Sequence, residues 1–388
     1  MFDRYLEYST KSCTRQARGA GGCKTFQLTY SSPLPTQTQV LNNPKNKKQL
    51  IAIIVQKLKQ SLTEQISQHK LVITGQEDCP IELSMGLCIE RQDLINHHEE
   101  ADVIVVSQAI YVSSVEKKSV GVVADDTDIF ILLLYHFKLT QPSSAVMMIP
   151  TKHGQGRIIA DIGMTAEDLG NLCLELLPAH ALTGCDQVPM HYGIAKKKML
   201  KAAKENQNSL SLLGKLEENF DDVMNQATRF IASCYSVQGV SNMTEARLKV
   251  WNRKAMKKTA NKAPPLCSLP PTTAAFKENV KRAHLQAAVW ISATSDPPNV
   301  DTTKYGWERQ DESKMLLPST LPPKEKVAPD EVMKVLCCTC SSERPCFTRA
   351  CGCHAAPLGC TEHCNCEGGI DCNNPFTVKS VEKDSDDE

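Results

Sequence analysis

The pattern of apolar and polar positions predicts strands and helices that alternate along the first half of the chain. Apolar residues recur at helical spacing over residues 47–66, where Leu50, Ile54, Leu58 and Leu62 share one face. Short apolar runs, typical of buried strands, lie at residues 70–74, 119–124 and 145–150. Helices are expected at residues 97–114 and 165–177, and residues 128–137 fit either a helix or an extended run. This alternation favours an α/β fold with a largely parallel sheet.

The second half of the chain is expected to be mainly helical until a cysteine-rich segment begins. Residues 210–231 carry one apolar face, which we interpret as core packing, and residues 272–290 are also expected to be helical. Prolines in residues 264–271 indicate a break between these helices. The predicted domains are residues 1–205, a helical extension at 206–292, a linker at 293–335, a cysteine-rich domain at 336–376 and an acidic tail at 377–388.

The composition indicates the general class of protein but does not indicate its binding partner. The 44 basic residues balance the 44 acidic ones, so net charge neither predicts nor excludes a nucleic-acid partner. The chain has no run of about 18 apolar residues, and its first residues lack the apolar centre of a signal peptide. We therefore expect a soluble, intracellular protein without a membrane partner.

Carboxylates are concentrated where strands are expected to end or helices to begin. Glu100 and Asp102 flank one alanine, Asp126 and Asp128 flank one threonine, and Asp186 follows the sequence LTGC. Side chains from such positions meet at the carboxyl edge of an α/β sheet, where carboxylates can hold two divalent cations for phosphodiester hydrolysis. The plainer alternative for the stretch from Asp125 to Asp128 is an acidic turn that caps a helix.

The order of these segments resembles the flap-endonuclease branch of the PIN-like nucleases. The matching segments are EADV, DDTDIFILL and LTGCDQVPMHYGIAKKKMLK, and the opening FDRY is similar to the second strand of that family. The order also resembles a group of uncharacterised animal proteins that are often associated with mobile elements. The resemblance implies a PIN-like parallel sheet flanked by helices, action on DNA and a nuclear location. It further implies that Mg²⁺ or Mn²⁺ ions are held by Glu100, Asp102, Asp126, Asp128 and Asp186, with Asp3 as an outer member.

Two departures from the family pattern weaken the expectation of activity. The family's first strand and its aspartate have no counterpart, so either the sequence is a fragment or the site is one ligand short. The family's Gly-Ile-Gly hairpin, which presents backbone N–H groups to a DNA phosphate, is here Gly193-Ile194-Ala195. We expect Ala195 to weaken that contact.

A basic block follows this hairpin, within a helix-hairpin motif predicted at residues 183–204. Lysines at a helix start suit phosphate contact, and the alternative is a solvated helix face. The residues expected to bind nucleic acid are Gly193, Lys196, Lys197, Lys198 and Lys201.

The cysteines are distributed unevenly, and their spacing predicts zinc. Ten of the 18 cysteines fall between Cys337 and Cys372, which favours metal binding over a disulfide scaffold. Nine thiolates satisfy three tetrahedral zinc ions if three of the sulfurs bridge two ions each. The pattern resembles the CXC domain of the tesmin family, although Ala350 replaces the family's DNA-contacting tyrosine and only one unit is present. The predicted ligands are Cys338, Cys340, Cys346, Cys351, Cys353, Cys360, Cys364, Cys366 and Cys372.

Three functions remain open at this point. The first is a metal-dependent nuclease that acts on DNA, in which the zinc domain helps to place the enzyme. The second is a catalytically inactive PIN-like protein that binds DNA or chromatin. The third is an interaction protein whose zinc cluster docks a protein partner.

Overall fold

A computed structural model describes the chain with gaps, and the structural statements below refer to the described residues. These are residues 9–15, 24–33, 35–62, 69–75, 77–84, 86–150, 159–255, 266–311, 314–320, 338–341, 346–361, 364–368 and 371–377. The chain divides into two compact units, one formed by Met1–Arg247 with Thr273–Thr320 and the other by Leu248–Thr272 with Leu321–Glu388. No described helix is both long enough and apolar enough to cross a lipid bilayer.

Helices form the core of the first unit. They are α1 (Thr10–Arg15), α2 (Gln37–Leu41), α3 (Pro44–Leu62), α4 (Ala101–Ser114), α5 (Thr127–Thr140), α6 (Ile162–Leu169), α7 (Leu172–Thr183), α8 (Lys196–Glu205), α9 (Phe220–Cys234) and α11 (Thr273–Ile291). Helix α10 (Met243–Ala255) starts in the first unit and ends in the second. Short 3-10 helices lie at Gln92–Leu94, Leu266–Ser268 and Thr302–Tyr305.

Three small sheets accompany these helices. Strands β1 (Leu71–Ile73), β2 (Ile81–Ser84) and β3 (Leu87–Glu90) form an antiparallel sheet in that order. Strands β4 (Val120–Val123) and β5 (Val146–Ile149) are parallel, with Val120 opposite Val146, and β6 (Ala160–Asp161) pairs with β5 in the antiparallel sense. The mixed α/β class is therefore confirmed. The predicted PIN-like, largely parallel sheet is not confirmed. Among the described strands only β4 and β5 pair in the parallel sense.

The β2–β3 hairpin is not predicted by the apolar pattern. All four residues of β3 are exposed, so this strand lacks the buried run that would indicate it in the sequence. Gly86 lies in the connecting turn at φ +78°, a conformation that glycine adopts at little steric cost. A glycine between two short segments of mixed polarity is the one local signal of this hairpin.

The central helices are apolar around their whole circumference. Residues 131–134 of α5 are all buried, and every residue of α7 is buried except Leu174. A helix that is apolar on all sides is enclosed by other elements, and it shows no helical period in the sequence. This explains why residues 128–137 fit either a helix or an extended run, and the structure resolves that choice as the helix α5.

Two predicted helices have different bounds for identifiable reasons. The helix expected at residues 165–177 is split into α6 and α7, because Gly170 at φ +57° ends α6. The helix expected at residues 210–231 begins only at Phe220, where the Asn219 side chain accepts a hydrogen bond from the Asp221 N–H group.

Part of the predicted linker at residues 293–335 belongs to the first unit, which includes Thr273–Thr320. Strands β7 (Trp307–Arg309) and β8 (Leu316–Pro318) form an antiparallel hairpin. Trp307 and Leu316 are buried together with Cys13 of α1 and Leu285 of α11. The described residues of the cysteine-rich segment contain one short helix, α12 (Gly352–Ala355).

Candidate functional site

The nine predicted zinc ligands form one cluster in the second unit. Eight of them are buried, and Cys366 is partly buried against the others. The Cys338 sulfur lies 3.9 Å from that of Cys346, 3.8 Å from that of Cys360 and 3.7 Å from that of Cys366. A tetrahedral zinc ion with Zn–S bonds of about 2.3 Å separates its sulfur ligands by about 3.8 Å. The sulfurs are therefore spaced as ligands of a shared metal ion, and none of these cysteines forms a disulfide.

Three overlapping sets of four cysteines bring their sulfurs within 4.8 Å of one another. They are Cys338-Cys351-Cys353-Cys360, Cys338-Cys340-Cys346-Cys351 and Cys338-Cys346-Cys360-Cys366. Cys338 belongs to all three sets, as a bridging ligand would. The other two predicted ligands extend the cluster, with Cys364 3.6 Å from Cys353 and Cys372 3.9 Å from Cys366. This dense cluster is compatible with zinc.

Backbone and amide N–H groups point at several of these sulfurs. The Asn374 side chain donates to the Cys360 sulfur at 3.2 Å, and the Thr361 N–H group donates to the Cys364 sulfur at 3.4 Å. Burial raises the pKa of the Cys351 thiol, but the His354 N–H group and neighbouring sulfurs outweigh burial and lower that pKa to about 7. The pKa of the Cys364 thiol is also lowered, whereas burial outweighs the donor at Cys360 and raises the pKa there. The donors therefore favour the thiolate, the form that binds metal, at Cys351 and Cys364.

The second candidate site is the carboxylate edge, which we define by Glu100, Asp126 and Asp128. These residues lie at the N-termini of α4 and α5, and the two aspartates follow β4 directly along the chain. Glu100 is the N-cap residue of α4 and is 7 % exposed. Asp126 is the N-cap residue of α5, and its side chain accepts a hydrogen bond of 2.9 Å from the Asp128 N–H group. The plainer prediction, an acidic turn that caps a helix, is therefore realised at Asp126.

The buried Glu100 carboxylate is held by neutral N–H donors. Gln187 donates to Oε1 at 2.8 Å, and the Trp290 indole donates to Oε2 at 3.1 Å. The Gln286 amide lies 3.3 Å from both oxygens. A buried carboxylate requires such compensation, because leaving it unpaired costs several kcal/mol.

Asp128 ends a chain of charged and polar groups that begins at Lys196. The Lys196 ammonium lies 2.7 Å from His180 Nδ1, and His180 Nε2 lies 2.6 Å from Asp128 Oδ1. The ammonium can only donate, so Nδ1 accepts and the ring proton lies on Nε2, from which it is donated to Asp128. Lys196 also donates to the Gly184 carbonyl at 2.9 Å. Burial lowers the pKa of this lysine, although the charge of Asp128 opposes that shift.

The charges of Glu100 and Asp128 both influence the thiol of Cys185. Burial raises the pKa of its thiol to about 12, and the negative charges of Asp128 and Glu100 contribute to the increase. A thiol with this pKa is protonated at neutral pH, so Cys185 is not an activated nucleophile.

The remaining predicted metal ligands are more dispersed. Asp102 is partly exposed and lies 4.0 Å from the Lys11 ammonium, and Asp186 is exposed in the turn after α7. Asp3 lies outside the described residues. Among the residues that the structure describes, only cysteines form a group of three or more ligands within 4.8 Å of one another. A two-metal Mg²⁺ or Mn²⁺ site is thus not shown, and the side chains as placed do not fit one.

The predicted nucleic-acid contacts all lie at the surface, although some of the lysines hydrogen-bond back to the protein. Gly193 takes φ +72° in the turn before α8, and its carbonyl accepts from the Lys198 ammonium at 2.7 Å. Ala195 is the N-cap residue of α8 with ordinary extended angles. Lys196, Lys197 and Lys201 are all exposed residues. The Lys196 ammonium reaches His180, and the Lys201 ammonium lies 3.7 Å from Glu205.

Sequence reasoning misses the partners that hold the carboxylates. His180, which the sequence indicates as a structural or surface histidine and not as a base, is 2 % exposed and in contact with Asp128. Gln286 and Trp290 are four residues apart and so share one face of α11, which is the signal that could have linked them. Nothing in the sequence places that face against α4.

Comparisons with known proteins found no match, whether to family models, to curated proteins or to solved structures. The resemblance to PIN-like nucleases therefore rests on the motifs themselves, and it stays a prediction.

Proposed function

We propose that this protein is a zinc-containing, nucleic-acid-binding protein with a PIN-like fold that does not hydrolyse its ligand. The observation that carries the proposal is the hydrogen-bonded chain from Lys196 through His180 to Asp128. It places the Lys196 ammonium behind the His180 ring at the carboxylate edge, where an active member of the family would need metal ions.

The electrostatics of the edge support this reading. Both oxygens of Glu100 already accept hydrogen bonds, and Asp128 already accepts one from His180. A divalent cation on these carboxylates would be repelled by the Lys196 ammonium, which is separated from Asp128 by the His180 ring. The protein's own groups thus compensate the charge for which a nuclease would use Mg²⁺ or Mn²⁺.

The surface around α8 supports binding to nucleic acid, and DNA is the ligand that we propose. Residues 187–204 contain five lysines and no acidic residue, although the whole chain is neutral. Lys197 and Lys201 extend into solvent from the first turns of the helix. A local basic surface of this kind attracts phosphates by releasing condensed counterions.

A second candidate function is hydrolysis of DNA by water activated on Mg²⁺ or Mn²⁺. The observation in its favour is that the negative charges of Glu100 and Asp128 both raise the pKa of one thiol, that of Cys185. If side chains rearrange when nucleic acid and metal bind together, the ligands would be Glu100, Asp102, Asp126, Asp128 and Asp186.

Binding and cleavage by the zinc-loaded full chain separate these functions. Labelled duplex, flap and single-stranded DNA would be incubated with Mg²⁺ or Mn²⁺, with Asp126→Asn/Asp128→Asn as the matched control. We expect binding that weakens with salt, and no cleavage beyond that of the control. Metal-dependent cleavage that the double variant loses would overturn the non-catalytic proposal. Absence of any DNA binding would overturn the nucleic-acid proposal and leave a protein partner for the zinc cluster.

A further inference from the structure

The turn between α7 and α8 presents two large apolar side chains to solvent. Met190 is 76 % exposed and Tyr192 is 61 % exposed, whereas the alternate residues His191 and Ile194 are buried. Large exposed apolar side chains next to one another need a reason, because water disfavours them.

The backbone beneath these side chains is fixed from several directions. The Tyr235 hydroxyl donates to the Tyr192 carbonyl at 3.0 Å, and the Ile194 N–H group closes the turn on the His191 carbonyl at 3.1 Å. His191 packs at 5.8 Å against the Phe276 ring and lies 3.2 Å from the Asn279 amide. The exposed ring of Tyr192 therefore projects from a turn whose backbone is held in place by hydrogen bonds and packing, which we call the braced turn.

The surroundings of the turn indicate which partner it fits. Lys197 and Lys201 follow within nine residues of Tyr192 and are exposed, and no acidic residue interrupts this stretch. Cationic side chains fit phosphates, and an exposed aromatic ring fits the face of a base. In a duplex the base faces are already stacked on one another, so the ring has a partner only where a base is unpaired.

We propose that Tyr192, supported by Met190, is a stacking platform for an unpaired base of single-stranded nucleic acid. The inference rests on the proposed nucleic-acid function and names its substrate class. The base would stack on the Tyr192 ring, and the backbone phosphates would run along Lys197 and Lys201. Recognition is independent of sequence, because every base has a face that stacks.

The test uses the zinc-loaded full chain and a fluorescent thymidine 20-mer, with a blunt-ended duplex of two strands as comparison. Tyr192→Leu is expected to weaken binding to the single strand about tenfold, the loss typical of one stacked base. Binding of the duplex should stay unchanged. Tyr192→Phe keeps the ring and should bind like the wild type. The matched control is Tyr30→Leu, because Tyr30 is 74 % exposed and has the Lys57 ammonium 5.1 Å from its ring centre.

A second readout locates the contact directly. A single-stranded oligonucleotide with 5-iodouracil should crosslink to Tyr192 on irradiation, and the crosslinked peptide would be identified by mass spectrometry. Equal single-strand affinity of wild type and Tyr192→Leu, or a crosslink elsewhere, overturns the platform. If Lys197→Ala/Lys201→Ala still weakens binding in that case, the proposed function survives. A chain that binds no oligonucleotide at all overturns both.

Discussion

At the scale of single residues, the main finding is that neutral donors satisfy Glu100, and that His180, backed by Lys196, satisfies Asp128. The sequence placed Glu100 and Asp128 near each other through their positions at helix starts. It could not predict their partners, because Gln286 and Trp290 come from a helix more than 150 residues further along the chain. Such contacts depend on how helices pack, and packing is not encoded in local patterns.

Buried histidines make the folded state sensitive to acid. Burial lowers the pKa of His191 and of His284 to about 4, whereas an unfolded histidine has a pKa of about 6.5. Between these values the unfolded chain binds protons that the folded chain does not, so stability is full above pH 6.5 and falls as pH decreases toward 4.

We expect the free energy of unfolding, measured by urea titration, to fall from pH 7 to pH 4.5. In His191→Asn and His284→Asn variants the slope of that fall should be smaller. A parallel series on His97→Asn serves as control, because His97 is half exposed. Equal slopes in all variants would show that these two histidines do not cause the sensitivity.

At the scale of elements, the sequence predicts helices well where their apolar residues face one side or form a long run. The predicted strand at residues 70–74 and the helix at 272–290 are confirmed as β1 and α11. Boundaries are less predictable where a single residue decides them, as Gly170 does at the end of α6. The exposed strand β3 is missed, since exposure removes the apolar signal.

Glycines that share a positive φ differ in what an added methyl group would meet. At Gly170, with φ +57°, a Cβ atom would have open space. At Gly184, with φ +126°, it would lie 2.4 Å from Met190 Cγ and 2.8 Å from Met190 Cα. Gly170→Ala should therefore show backbone strain alone, about 1–3 kcal/mol.

Gly184→Ala should destabilise the fold by about 1–3 kcal/mol more than Gly170→Ala, because it adds overpacking against the turn that carries Tyr192. Urea unfolding of both variants measures the difference. A smaller loss in Gly184→Ala than in Gly170→Ala would show that the turn shifts freely, contrary to the braced geometry.

At the scale of the whole molecule, we expect the cysteine-rich segment to need metal for folding, unlike the helical unit. Cysteines are the buried residues of its core, so removing the ions leaves little apolar surface to hold it. The spacing of the cysteines predicted which nine residues cluster, because metal sites in small domains are local in sequence.

We expect the purified protein to contain about three zinc ions per chain, and Cys338→Ser to lose more zinc than Cys372→Ser. The reason is that Cys338 belongs to all three four-sulfur sets and Cys372 belongs to none. Elemental analysis gives the metal content, and hydrogen exchange of residues 338–377 reports folding. Cys267→Ser, at an exposed position outside the cluster, is the control. Full zinc content in Cys338→Ser would contradict the assignment.

The central claim is that the Lys196 ammonium compensates the negative charge of the carboxylate edge, as a divalent cation does in a nuclease. Manganese binding to the zinc-loaded protein, followed by electron paramagnetic resonance, tests it most directly. We predict no Mn²⁺ binding at sub-millimolar concentration beyond that of Asp126→Asn/Asp128→Asn. The Lys196→Met variant, which removes the ammonium, should gain a binding site. Tight Mn²⁺ binding by the wild type that the double aspartate variant loses would contradict the account.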